Sequence, residues 1–315
     1  MRIINFGSLN IDKVYQVEQF VRPGQTITAK DYAVAAGGKG LNQSLAAARA
    51  GAEVLHAGAI GAEGRFMADL LRESGADTSL LREVDGPSGH AVIEINAAGQ
   101  NRIIVFGGAN RSMTSEYIER VLDTAQPDDW VLLQNEVNLV PEIICRAHEK
   151  GLRVVFNPSP MPENLDALPL ARVSLFMVNE IEAAQLAGTD ANADFEDTLT
   201  ALRAKYPNAS VVMTVGADGV LYDGEEGRFQ LSAFKVKAVD TTAAGDTFCG
   251  YFLAAVSAGK SVQTALQEAS AASAIAVSRA GTHKSSETGQ TESPKGVYRY
   301  ARYNRTRRLY FLRPV

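Results

Sequence analysis

The spacing of apolar positions changes regularly along the chain. A short apolar run at 2–7 stops at the polar stretch Gly7-Ser8-Leu9-Asn10-Ile11-Asp12. Beyond residue 50, short continuous apolar runs alternate with segments whose apolar positions recur every three or four residues, the spacing of one helix face. The pattern predicts strand 53–59, helix 65–74, strand 77–83, helix 114–125, strand 130–134, helix 139–150 and strand 152–157. It continues with strand 173–178, helices 180–187 and 195–205, strand 210–215, a strand edge at 234–239 and a buried, Ala-rich helix at 247–258. Strands that alternate with helices call for a largely parallel sheet covered on both faces, the three-layer α/β/α class.

Two stretches break this rhythm. Residues 13–36 alternate apolar and polar around Pro23-Gly24, and residues 89–106 do so around a turn at Ala97-Ala98-Gly99-Gln100. Period two without intervening helices predicts antiparallel strands. Together they predict a small sheet projecting from the main body, usable as a lid or as a dimer surface. Between them Gly37-Gly38-Lys39-Gly40 opens a helix at 41–50.

Composition changes little in this picture. With 315 residues, 46% hydrophobic and 21% charged, the chain suits one large α/β domain or two modest ones. A net charge of −5 gives no reason to expect nucleic acid or an anionic membrane as partner. A phosphate-bearing substrate must therefore meet a local positive site. The two cysteines, Cys145 and Cys249, fall in apolar helical contexts and predict buried free thiols in a reducing compartment. The N-terminus lacks the apolar core of a signal peptide, and no run approaches the ~18 apolar residues of a membrane span. A soluble, cytoplasmic protein is the expectation.

The stretch Ala238-Val-Asp-Thr-Thr-Ala-Ala-Gly-Asp-Thr-Phe-Cys-Gly250 carries the most chemistry. Small residues Ala243, Ala244 and Gly245 at a helix start let a ligand approach the backbone, where N–H groups lack intrahelical partners. The positive end of the helix dipole makes this an anion site. Asp246 lies in the same first turn. A carboxylate beside a nest of N–H donors suits phosphoryl transfer to an alcohol, and Asp is equally common as a plain helix cap. Gly37-Gly38-Lys39-Gly40-Leu41-Asn42 lacks the spacing of a Walker phosphate loop, which needs four residues between its glycines and then Lys-Ser or Lys-Thr. It presents backbone, Lys39 and Asn42 to a polar ligand at a helix start, or is simply a tight turn.

Taken as a pair, Ala36-Gly-Gly-Lys-Gly-Leu-Asn-Gln43 and Asp240-Thr-Thr-Ala-Ala-Gly-Asp246 closely resemble the two signatures of the PfkB carbohydrate kinase family. Gly107-Gly-Ala-Asn110, Gln134-Asn-Glu136, Asn157-Pro-Ser-Pro160 and Val178-Asn-Glu-Ile-Glu182 extend the likeness, which runs from Gly7 to about Ser285 and is strongest to kinases of ribose. The resemblance implies a sugar site formed by Asn10, Asp12, Gly38, Lys39, Asn42 and Glu136. It implies Asp246 as the general base and the N–H groups of Ala243, Ala244, Gly245 and Asp246 as an anion hole. For ATP it implies Asn179 and Glu182, with Mg²⁺ held through water, and the turn containing Thr214, Gly216 and Gly219. For a monovalent cation such as K⁺ it implies Asp240, Thr242, Arg279, Gly281 and Ser285. A homodimer joined through the lid sheets is also implied. Deoxyribose, fructose or adenosine is the alternative acceptor, and a sugar-binding regulator without turnover the alternative class.

The end of the chain departs from the family. From Ser286 to Val315 there are seven Lys/Arg against two Asp/Glu, a net of +5 that leaves −10 for residues 1–285. Ser285 is followed by Ser286-Glu-Thr-Gly-Gln-Thr, where the family has Pro and a short amphipathic helix. The expected division is a kinase domain over 1–285 and an atypical basic tail over 286–315, read as an altered end and not as a nucleic-acid-binding arm.

Overall fold

The computed structural model describes residues 1–278. Its main sheet has eight strands in the spatial order β14 (Gly227–Leu231), β13 (Val220–Gly224), β12 (Ser210–Thr214), β11 (Leu175–Asn179), β10 (Arg153–Asn157), β9 (Trp130–Gln134), β1 (Ile3–Phe6) and β4 (Val54–Ala57). From β12 to β4 every pair is parallel, and β13 and β14 add an antiparallel hairpin at one edge. A short parallel pair joins β5 (Ala59–Ile60) to β6 (Arg82–Glu83).

Strands buried on both faces read as continuous apolar runs, and successive side chains enter different cores. Ile4, Phe6, Val131, Leu133, Val154 and Phe156 pack under α3 (Ser115–Leu122), α4 (Val140–Glu149), α5 (Glu180–Ala187) and α6 (Phe195–Lys205). Ile3, Leu132, Val155, Leu175, Met177 and Val212 face α1 (Lys39–Arg49), α2 (Arg65–Glu73), α7 (Ala244–Ser257) and α8 (Val262–Val277). This is the expected three-layer α/β/α arrangement. Among the described residues no helix is long and apolar enough to cross a membrane.

On the α1/α7 face the apolar row ends in polar residues. Asn5, Gln134, Asn157, Asn179 and Thr214 continue the period-two rows of Ile3, Leu132, Val155, Met177 and Val212 toward the carboxyl ends of their strands. A row of amides and a hydroxyl along that edge marks where a ligand meets an α/β sheet.

The second sheet runs β3 (Asp31–Gly37), β2 (Asn10–Gln16), β7 (Gly89–Ile95), β8 (Asn101–Phe106). Residues 13–36 and 89–106 do supply it, with one difference: the central pair, β2 and β7, is parallel. The outer pairs are antiparallel. The sheet begins earlier than residue 13, so Asn10 and Asp12 are themselves residues of β2.

Other expectations need correction. Residues 234–239 form no strand; they run irregularly, held where the Val239 and Asp240 N–H groups donate to the Val277 carbonyl. The stretch 77–83 contributes only β6 and one bridge from Asp77 to Leu55. The hairpin β13–β14 and helix α8 were not anticipated, because Asp223-Gly224-Glu225-Glu226-Gly227 hides the turn among charges and α8 has few large apolar residues. Cys249 is buried as expected, whereas Cys145 is only half-buried; both are free.

Candidate active site

The first half of the site is built on the start of α1. Gly38, its N-cap, has φ of 95°, a conformation that favours glycine, and no side chain caps the helix. The loop after β1 and one distant carboxylate take the exposed N–H groups instead. Leu41 N–H donates to the Ser8 carbonyl (2.8 Å), Gly40 N–H to Ser8 Oγ (3.2 Å) and Lys39 N–H to Glu136 Oε2 (2.9 Å). The Ser8 hydroxyl donates to the same Glu136 oxygen. Glu136 thus stands at the positive end of α1, as a carboxylate prefers.

Asp12 lies close enough for the Glu136 charge to act on it. Burial first, and the Glu136 charge second, push its carboxyl up to about 6. A Cβ on Gly37 would overlap the Asp12 carboxylate, so the glycine leaves that side chain its room. Asn10 is buried, and its Oδ1 accepts from Asn110 Nδ2 (2.8 Å). Asn110 in turn clasps the backbone of Leu9, accepting its N–H (2.9 Å) and donating to its carbonyl (3.2 Å). Asn10 is left with its amide N–H groups to offer a ligand.

The second half is the start of α7. Its N-cap, Ala243, has φ of 58°, a left-handed conformation that costs a non-glycine residue about 1 kcal/mol, and no side chain caps the helix. Asp246, buried in the first turn, does not act as that cap. Its Oδ2 accepts from Asn42 Nδ2 (3.1 Å) and its Oδ1 from Gln43 Nε2 (2.9 Å), both on α1. α1 and α7 pack closely because Gly250 lies against Ala46 and Ala47.

A cleft of about 240 Å³ opens at the start of α7 and reaches Lys39 on α1. It is lined by Lys39, Asn157, Ala243, Ala244, Gly245 and Asp246, and by Asn179, Glu182, Thr214 and Cys249. Burial, and then the Asp246 charge, push the Cys249 thiol upward, so it stays a neutral wall. Asn179 and Glu182 form a reciprocal capping box on α5: Glu182 N–H donates to Asn179 Oδ1 (2.8 Å) and Asn179 N–H to Glu182 Oε2 (3.0 Å). Capping and a place in the cleft coexist in the same pair.

Of the expected residues, Asn10, Asp12, Gly38, Asn42, Glu136, Gly216 and Gly219 are outside the lining of the cleft, and Asn42 meets it through its bond to Asp246. Gly219 has φ of 115°, and a Cβ there would overlap the Leu231 carbonyl, so β13 needs this glycine for its own pairing. Asp240 Oδ1 accepts the Thr242 N–H (2.8 Å). Arg279, Gly281 and Ser285, and the basic segment 286–315, lie outside the described residues.

The sequence assigned no role to Gln43 and Asn110, which bond Asp246 and Asn10, or to Asn5, Gln134 and Asn157, which stand behind Gln43 and α1. A signal existed: each of β9, β10 and β11 closes an apolar run with one amide, Gln134, Asn157 or Asn179.

Residues 2–289 match the pfkB family of carbohydrate kinases. The chain is 34% identical to a ribokinase of Haemophilus influenzae, over 90% of this chain and 94% of that one. It is 30% identical to a deoxyribokinase of Salmonella typhi, over 90% and 95% of the two chains. The crystal structure of a ribokinase from Cryptococcus neoformans in complex with ADP superposes with a TM-score of 0.77 at 35% identity, covering 89% of this chain and 94% of that one.

Proposed function

The chain belongs to the pfkB family of carbohydrate kinases, and on that premise we propose that it transfers the γ-phosphoryl group of ATP to the primary hydroxyl of D-ribose, giving ribose 5-phosphate. That it is a sugar kinase, with an alcohol group as acceptor, follows from the family and its relatives. One observation carries the residue-level reading: Asp246 and the uncapped start of α7 open into one cleft with Lys39 and Glu182.

In this reading Asn10 donates to the sugar hydroxyls, while Asp12 and Glu136 accept from them. Lys39 and Asn42 bring further donors, with Gly38 at the turn. The primary hydroxyl oxygen forms a bond to the γ-phosphorus as the bond from that phosphorus to the β–γ bridging oxygen breaks, and ADP leaves. The hydroxyl proton passes to Asp246. A carboxylate is far weaker as a base than an alkoxide, so the proton moves late in a loose transition state and Asp246 need only be in place to receive it. The N–H groups of Ala243 to Asp246 hold charge on the transferring group.

Asn179, Glu182, Thr214, Gly216 and Gly219 form the proposed nucleotide side. Mg²⁺ would arrive with the triphosphate and be held near Glu182 through water. Bound there, Mg²⁺ would neutralise charge on the β- and γ-phosphates. A monovalent cation such as K⁺ would lie by Asp240 and Thr242. We also read the lid as a dimer surface: on the edge strand β8, Ile103, Ile104, Val105 and Phe106 are all at least half exposed, an apolar edge that calls for a partner. Light scattering would give twice the mass of one chain, and a monomer at working concentration would overturn that part.

The deoxyribokinase relative makes deoxyribose the second reading. The test is ADP release with Mg·ATP over D-ribose, deoxyribose, fructose and adenosine, with and without K⁺, for the native chain and Asp246→Asn. Fast release with ribose and a loss of about 10²- to 10⁴-fold in kcat for the variant are expected. Faster release with another acceptor replaces ribose but keeps the mechanism. Native-like release by Asp246→Asn overturns the base, and sugar binding with no release from the native chain favours a regulator.

A further inference from the structure

Beneath the cleft, between the sheet and α1, runs a chain of buried amides that the reaction scheme above does not use. Asn5 Nδ2 donates to the Gly40 carbonyl and to Ser44 Oγ, both at 2.8 Å. Gln134 Nε2 donates to Asn5 Oδ1 (3.1 Å) and to Gln43 Oε1 (2.6 Å). Gln43 Nε2 donates to Asn157 Oδ1 (3.0 Å) and to Asp246 Oδ1 (2.9 Å). Asn157 Nδ2 donates to the Met177 carbonyl (2.8 Å). Asn5 and Gln43 are fully buried and Gln134 almost so.

Which way each amide points is normally ambiguous, but here both ends are pinned. A backbone carbonyl only accepts, so the Gly40 carbonyl fixes the Nδ2 side of Asn5 and the Met177 carbonyl fixes that of Asn157. With those set, Gln134 must present its nitrogen to Asn5, and Gln43 must present its nitrogen to Asn157. Each glutamine then has a single orientation, and the result is one N–H aimed at Asp246 Oδ1. The arrangement even leaves Gln134 Oε1 buried without a hydrogen-bond partner among the described residues.

At its far end Ser44 Oγ meets His56 Nδ1 at 2.8 Å, and burial holds that imidazole neutral, pushing it down to about 4. The thiol of Cys249 lies 3.6 Å from Gln43 Oε1 as a weak additional donor. Asn42 covers the other oxygen of Asp246.

We propose that Gln43, oriented by Gln134 and Asn157, is the positioning residue that sets the plane of the Asp246 carboxylate for proton transfer. This rests on Asp246 being the base. The amide does not touch substrate; it decides which way the accepting oxygen faces, and small errors there are costly to a proton transfer.

The test uses Gln43→Met, Gln43→Glu, Gln134→Met and Asp246→Asn in the full chain, with kcat and both KM values measured on the fastest acceptor of the panel. Thermal melts report the folded fraction. Gln43→Met is expected to lower kcat about 10- to 100-fold while both KM values stay within about threefold. Gln134→Met, one step removed from Asp246, should lower it about 3- to 10-fold. Gln43→Glu adds a distinct signature. A carboxyl pair holding one proton can still donate a hydrogen bond to Asp246, but a doubly ionised pair repels. Its kcat should therefore fall, relative to the native enzyme, as pH rises from about 6 to about 9.

Native kcat in folded Gln43→Met, or a Gln43→Glu profile parallel to the native one, overturns positioning. If Gln43→Met does not fold, Gln134→Met and the near-isosteric Gln43→Glu decide by the same criteria. Native-like kcat in Asp246→Asn overturns the base reading and this inference with it. An inactive Asp246→Asn beside a fully active Gln43→Met overturns the inference alone.

Discussion

The starts of α1 and α7 look alike in sequence and end up opposite in chemistry. Both begin among small residues, both lack an N-cap side-chain bond, and both have a positive-φ residue at the N-cap, Gly38 in one and Ala243 in the other. At α1 the N–H groups of Lys39, Gly40 and Leu41 are taken by Glu136 and Ser8. A helix start already holding a carboxylate has little left to offer a phosphate. At α7 no side chain fills that role, and the first turn opens into the cleft. Small residues before a helix are thus a cue to close approach; what is approached depends on which distant side chains reach the same end.

The largest expected effect breaks the α1 side. Asp12→Asn removes an acceptor from the proposed sugar site and should raise KM for the sugar about 100-fold or more, since a site built for hydroxyls loses far more than one methylene's worth of binding. The same change should stabilise the free protein. The Asp12 carboxyl is pushed up to about 6, first by burial and then by Glu136. A group raised above its unfolded value contributes stability that is fully present below that value, near 3.8, and lost as pH rises through about 6. At pH 7.5 the ionised Asp12 therefore costs the fold about 1–3 kcal/mol, which asparagine recovers. Thermal melts from pH 4 to 8 would show the gain above pH 6 and its disappearance near pH 4. A variant less stable than native at pH 7.5 would contradict the electrostatic account.

The second effect acts on the seam that couples the two helix starts. A Cβ on Gly250 would overlap Ala46 Cβ and press on the Ala47 nitrogen. Gly250→Ala gains up to about 1 kcal/mol of helix propensity and suffers about 1–3 kcal/mol of overpacking, so a net loss is expected. Because Asn42 and Gln43 reach Asp246 across this seam, kcat should fall further than the melt alone explains. Urea titration beside steady-state kinetics checks both; a melt shifted without a change in kcat would separate packing from catalysis.

Much of this was legible in the sequence, and the reasons for the rest are physical. Buried parallel strands such as Trp130–Gln134 and Leu175–Asn179 announce themselves as apolar runs, and the two period-two segments gave the lid. The parallel pairing of β2 with β7 was not legible, because alternation fixes faces and not partners. Residues 234–239 alternate like a strand, yet they pair with no strand among the described residues, and Phe234, Val236 and Val239 remain exposed. In the site, Asp246 and Lys39 stood out because charge in a glycine-rich loop is conspicuous. Gln43 and Gln134 did not, since a neutral amide acquires meaning only from the orientation that the Gly40 and Met177 carbonyls impose.

The smallest expected effect sharpens the comparison most, because it makes the two helix starts more alike. Ala243→Gly places at α7 the residue that α1 already has at its N-cap. Glycine relieves the left-handed strain, about 1 kcal/mol, and returns nearly as much as entropy of the unfolded chain. Stability should change by no more than about 0.5 kcal/mol, a melting shift of a degree or two at most for a chain of this size. The loop itself gains freedom. In the proposed reading the alanine keeps the start of α7 ordered before any phosphate arrives, whereas glycine must be ordered on binding. KM for ATP should therefore rise about two- to fivefold, with KM for the sugar unchanged. A clear stabilisation with no change in KM for ATP would mean that Ala243 carries strain without organising the anion site, and the helix starts would then differ only in what caps α1.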